Sequence, residues 1–117
     1  MDKLVQVAKQ GIVRDEILYD IADFFKVLGD STRLKILFAL KNTEFNVGEL
    51  SQILGMNQSA VSHQLRILRQ NDLVKFRKQG KTIYYALDDD HIDSLLTIST
   101  EHIVYGKGYE NEFTTNA

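Results

Sequence analysis

Apolar residues along this chain recur first with a helical period and then with a period of two. From Asp15 to Leu28, the residues Ile17, Ile21, Phe24 and Leu28 fall at helical spacing. Gly29 follows and is expected in the left-handed conformation that ends such a helix. Asp30 or Ser31 can cap the next helix, whose buried stripe reads as Leu34, Leu37, Phe38 and Leu40. Asn46 with Glu49 three residues on has the spacing of a capping box. The short helix it opens runs to Leu54 and stops at Gly55. After the turn "LGMN", Asn57 caps a helix from Gln58 to about Asn71, with Val61, Leu65 and Leu68 facing inward. Two short helices joined by a glycine-bearing turn, over 47–71, make a helix-turn-helix pattern.

The period then changes. Val74 and Phe76 alternate with Lys75 and Arg77, and Ile83, Tyr85 and Leu87 alternate with Thr82, Tyr84 and Ala86. With Gln79-Gly80 between them as a turn, 73–87 reads as a β-hairpin wing with a basic tip of Lys78, Gln79, Gly80 and Lys81. A last helix opens among Asp88, Asp89 and Asp90, runs over 90–105, and ends at Gly106 and Gly108. Residues 1–14 read as an N-terminal extension with a short helix stopped near Gly11. The polar stretch 106–117 is expected to be a flexible tail. The predicted fold is mainly α with a β-hairpin wing: one winged helix-turn-helix domain over 1–117.

Composition narrows the class. Apolar residues make up 44% of the 117, enough for a core. No apolar run approaches the ~20 residues that cross a bilayer. The start, "MDKLVQVAKQG", lacks a signal-peptide pattern, and the chain has no cysteine. A cytoplasmic protein is expected, without disulfides, thiolate metal sites or a membrane partner. The formal net charge of −2 alone argues against nucleic acid, but its distribution argues for it. Between Gln58 and Lys81, six basic residues face Asp72 alone; from Thr82 onward, Lys107 stands against seven acids. One segment suits phosphate and the other suits cations.

In a helix-turn-helix the second helix enters the major groove with its early residues at base edges. Gln58, Ser59, Ser62, His63 and Gln64 are the candidates there, all short, amide or imidazole side chains. Arg66 and Arg69 sit later on the helix and suit backbone phosphates; Lys78, Gln79 and Lys81 at the wing tip suit phosphates or the minor groove.

The last helix poses a different question. His91 and His102 are eleven residues apart, close to three turns, so they share one face at about 16 Å separation. No single ion reaches both within one helix, because zinc–nitrogen bonds are only ~2 Å long. An antiparallel second copy of the helix brings His91 level with His102, giving two sites per homodimer. Leu95 and Ile98 lie between them on the same face as an apolar seam that needs a partner. Ile17, Ile21 and Phe24 of the earlier amphipathic helix extend that interface; 15–28 and 90–105 are thus the dimerisation helices. Asp89 can swing toward the same ion, and Asp88 or Asp90 can then cap the helix. For the fourth donor the helix offers Tyr105, a phenol and so a poor ligand when neutral. Glu101, water, Glu110 and Glu112 are further candidates.

"FKVLGDSTRLKIL" (Phe25–Leu37), "NQSAVSHQLRILRQNDLVKFRKQGKTIYYAL" (Asn57–Leu87) and "DDHIDSLLTISTEH" (Asp89–His102), in this order, resemble the ArsR/SmtB family of bacterial metal-sensing repressors. The resemblance implies a homodimer that binds double-stranded operator DNA when metal-free and releases it when metal binds. One branch of that family senses zinc, cobalt or nickel with Asp-x-His, ten residues, His, two residues, then Glu or His. On this chain the pattern falls on Asp89, His91 and His102, with Tyr105 departing from it. Zinc is the expected ion, with cobalt or nickel as alternatives. The branch with a cysteine pair in "NVGEL" does not apply. A winged-helix regulator without metal response is the rival reading. The sequence holds no glutamate-flanked histidine pair of the kind a zinc hydrolase uses, so no enzyme is expected.

Overall fold

The structure is a computed structural model that describes residues 2–109. Glu110, Glu112 and the rest of the expected tail lie outside the described residues. In chain order the elements are α1 (Lys3–Gly11), α2 (Asp15–Leu28), α3 (Ser31–Ala39), β1 (Phe45–Asn46), α4 (Val47–Leu54), α5 (Gln58–Gln70), β2 (Val74–Gln79), β3 (Thr82–Leu87) and α6 (Asp90–Lys107). The three strands form an antiparallel sheet in the order β1-β3-β2. Helices α4 and α5 with the β2–β3 hairpin make the expected winged helix-turn-helix.

Helix starts follow the short polar residues. Asp30 caps α3 by accepting from the Arg33 amide at 2.9 Å. Asn46 and Glu49 form the reciprocal capping box of α4 at 2.8 and 3.0 Å. Asn57 caps α5 through the Ala60 amide at 2.8 Å. Gly55 closes α4 at φ +65°, where a side chain would be strained. Gly29 does not take the expected left-handed conformation. Its φ is −76°, because the chain passes directly from α2 into the Asp30 cap. Asp72, at φ +58°, makes the reversal from α5 into β2, a position that aspartate tolerates better than most residues.

The core lies where α3, α4, α5, the wing base and α6 meet. Ile36, Leu37, Leu50, Val61, Leu65, Leu68 and Leu73 are fully buried there, and Ile92 and Leu96 of α6 close it. Each such side chain contributes about 1.5–3 kcal/mol through burial. The α3 stripe differs from expectation. Ile36 is buried, whereas Phe38 is 42% exposed, because α3 turns Ile36, Leu37 and Leu40 toward α4 and α5. The hairpin turn is shifted by one residue: Gln79 pairs with Thr82, so Gly80 and Lys81 form the tip, with Gly80 at φ +64°.

Candidate functional site

Burial of Val61, Leu65 and Leu68 fixes the rotation of α5. The opposite face then presents Gln58, Ser59, Ser62, His63, Arg66 and Arg69, all exposed. Gln64 is not free. It is half-buried and accepts from the Arg33 guanidinium at 3.3 Å, while Arg33 also donates to the Val27 carbonyl at 2.8 Å. Arg33 thus ties α5 to the end of α2, a positioning role that local pattern did not signal.

The wing is held in place by a second arginine. Arg77 Nε donates to both Glu44 oxygens at 2.9 Å, its Nη2 also meets Glu44, and its Nη1 donates to Gln79 at 2.8 Å. The guanidinium lies over the Tyr84 ring at 4.8 Å. The hydrogen bonds from Arg77 hold the Glu44 carboxyl below its usual range, and Glu44 raises Arg77 in return. Gln79 is therefore partly engaged inside the wing. Lys81 at the tip and Lys78 near the end of β2 are exposed, and among the described residues neither forms a salt bridge. Arg69 stacks on Phe76 at 3.9 Å, joining the end of α5 to the wing. A groove of about 480 Å³ runs between them, lined by Ser62, Arg66, Arg69, Gln70 and Tyr85. Its cationic walls and hydroxyls suit a phosphate backbone.

Helix α6 presents two faces. Ile92, Leu96 and Val104 are buried against the molecule's own body. The other face carries His91, Leu95, Ile98, His102 and Tyr105, of which Leu95 is half-buried and the rest exposed. Ile98 is 61% exposed and Tyr105 70%, a costly arrangement for an isolated chain. On α2, Ile17 and Ile21 are likewise exposed. Phe24 packs partly against the core and its neighbour Phe25 takes the outward position.

The cap of α6 is Asp89 itself, rather than Asp88 or Asp90. Its Oδ1 accepts from the Ile92 amide at 3.1 Å. Its Oδ2 lies 3.5 Å from His91 Nδ1, and the His91 side chain is 96% exposed. That separation is long for a hydrogen bond. It is close to the edge of a zinc tetrahedron, where donors with ~2.1 Å bonds stand roughly 3.4 Å apart. The Ile92 amide, and after it His91, hold the Asp89 carboxyl below its ordinary range, so it stands ready as a charged donor. Asp93, one turn on, is drawn away by Lys41 at 3.0 Å. Among the described residues of one chain, no group of three potential donors converges. Asp89 and His91 stand together as two donors, and His102 lies three turns along the same face.

The arsR-family model of bacterial regulatory proteins matches residues 30–75. A cadmium resistance transcriptional regulatory protein CadC homolog of Staphylococcus aureus is 37% identical over 93 residues, covering 79% of this chain and 76% of the relative. This chain belongs to the ArsR family. A transcriptional repressor SmtB homolog of Synechocystis is 42% identical over 83 residues, 71% of this chain but 63% of that protein. This ArsR-family chain thus spans a little under two thirds of that relative's length. Among solved structures, a homodimeric winged helix-turn-helix DNA-binding domain of Mycobacterium bovis, a possible ArsR-family regulator, aligns with a TM-score of 0.71 at 26% identity, covering 83% of this chain and 91% of that one. The matched stretch 30–75 contains α3, α4 and α5 but neither α2 nor α6. Arg33, Glu44 and Arg77 are the positioning residues that sequence reasoning missed, since each pairs with a group distant along the chain.

Proposed function

We propose that this ArsR-family chain is a cytoplasmic, metal-responsive transcriptional repressor. It binds double-stranded operator DNA as an ion-free homodimer and releases it when zinc, or else cobalt or nickel, is held between the C-terminal helices. The observation that carries the metal response is the Asp89–His91 pair, 3.5 Å apart at the start of α6, with exposed His102 three turns along the same face.

In this reading Asp89 and His91 hold the ion from one copy, and His102 of a second copy holds it from the other. The ion supplies a cross-link between two antiparallel helices. Ile98 and Leu95 form the apolar seam between the two sites, and Ile17 and Ile21 of α2 extend it. Ser59, Ser62 and His63 read base edges, Arg66 and Arg69 seat phosphates in the groove beside the wing, and Lys78 and Lys81 reach the flanking backbone. Leu96 and Ile92 transmit any shift of α6, because they sit in the same core as Leu65 and Leu68 of the reading helix. A hundredfold loss of DNA affinity requires a coupling of about 3 kcal/mol, within the ordinary allosteric range.

The test is a fluorescence-anisotropy titration of the protein on its own upstream duplex, with and without one equivalent of zinc per chain. Zinc should weaken binding on the order of a hundredfold. A His91→Ala protein should keep its DNA bound in the presence of zinc. Release of DNA by that variant at the same zinc concentration would overturn the assignment. A regulator with the same dimer and no metal response is the second reading, favoured by the phenol at Tyr105; it expects less than one bound zinc per chain in equilibrium dialysis.

A further inference from the structure

The helix α5 is seated by two kinds of contact. Val61, Leu65 and Leu68 bury its inner face. Such burial is non-directional: it decides which face is inward without fixing how far the helix tilts or slides. The second kind is directional. Arg33 Nε donates to the Val27 carbonyl at 2.8 Å, and its Nη1 donates to Gln64 Oε1 at 3.3 Å. Among the described residues this is the only side-chain hydrogen bond from α5 to another helix. Val27 is next to last in α2, so its carbonyl is among those at that end with no partner inside the helix. Gln64 is the seventh of the thirteen residues of α5 and follows Ser62 and His63 directly. Arg33 and Gln64 are both half-buried, and Asp30 holds the Arg33 amide at 2.9 Å. A planar guanidinium offers its donors at fixed angles, so this one side chain fixes its two partners relative to each other.

We infer that Arg33 sets the spacing of the two reading helices in the dimer, and so acts on DNA binding without touching DNA. This rests on the reading of the chain as a DNA-binding homodimer, and not on the metal. In that reading α2, with Ile17 and Ile21 exposed, lies at the seam between the copies. The Arg33 link then runs from the end of a seam helix to the middle of the helix at the base edges. Half-sites on duplex DNA repeat at about 34–36 Å, so both heads engage only when α5 keeps one angle to α2. Arg33 is a positioning residue. Without it each head keeps its own base contacts, but the pair loses its register.

The full-length protein is titrated, with EDTA present, on two duplexes: its own upstream DNA trimmed by footprinting to two half-sites, and the same DNA with one half-site scrambled. Anisotropy gives the ratio of the two affinities. The unmodified protein should favour the paired duplex on the order of a hundredfold. Arg33→Met should cut that ratio at least about tenfold while leaving affinity for the single half-site within about twofold. It should also erase the preference for the native spacing over one lengthened by a base pair. Gln64→Leu leaves Arg33 on the Val27 carbonyl, so the end of α2 stays satisfied. It should lower the ratio as Arg33→Met does, and the double variant should lower it no further. Equal loss on both duplexes in Arg33→Met would overturn the inference, because a merely weakened head gives that result. So would an unchanged ratio in Gln64→Leu. An unmodified protein that binds both duplexes alike would overturn it through the dimer reading instead, and that control separates the two failures.

Discussion

Between α3 and β3 most of the large apolar side chains are inside, with Phe38, Ile53 and Phe76 as exceptions, whereas on α1, α2 and the outer face of α6 the same residue types stand in solvent. Leu50, Val61, Leu65 and Leu68 have no exposed surface; Leu4, Ile17, Ile98 and Tyr105 are 41–76% exposed. The reading head completes its core within one chain. The outer helices do not, and a second copy is the simplest way for them to do so. The contrast teaches that one chain carries two kinds of apolar pattern, one that closes its own core and one that is left facing solvent.

The sharpest way to break that contrast is to truncate one residue of each kind. Leu65→Ala should destabilise the protein by about 3 kcal/mol in urea unfolding. Ile98→Ala, measured at a concentration where the protein is monomeric, should change stability by no more than about 0.5 kcal/mol. Equal costs would mean that α6 packs its outer face within its own chain. Next in size is Ile98→Asp, which places a charge in the seam. Sedimentation velocity should then show a monomer, and DNA affinity should fall on the order of a hundredfold as bivalent contact is lost. Lys81→Ala tests the reading head alone. Its DNA affinity should drop a few-fold, with the salt slope reduced by roughly 1.

The smallest effect concerns the wing. Glu44 has its carboxyl lowered from 4.5 by the Arg77 hydrogen bonds. A carboxylate lowered on folding stabilises the protein above its unfolded value, and that contribution is lost as pH falls through the folded value. The wild-type melting temperature should therefore decline somewhat more steeply below pH 4.5 than that of Glu44→Gln. Superimposable acid limbs would show that the pair adds nothing.

Much of the fold was legible because its signals are local. Caps at Asp30, Asn46 and Asn57, the Val61–Leu65–Leu68 stripe and the hairpin alternation each depend on residues within one or two turns. The errors share an opposite cause. Which α3 side chains are buried was decided by where α4 and α5 sit, and that exchanged Phe38 for Ile36. Arg33 meets Gln64 across 31 positions, Arg77 meets Glu44 across 33, and Lys41 meets Asp93 across 52. No periodicity encodes such meetings. The candidate metal helix was legible in its spacing. That Asp89 is itself the cap was not, since three consecutive aspartates offer the same chemistry and only the backbone conformation chooses among them.

The two oxygens of Asp89 face different tasks: one starts a helix and the other faces His91. Asparagine starts helices about as well as aspartate and has nearly the same shape. Under the proposed function, exchanging a single oxygen for an amide nitrogen at this position keeps the dimer and its grip on DNA while blinding it to the ion. A switch built this way lies one conservative substitution from a permanent lock.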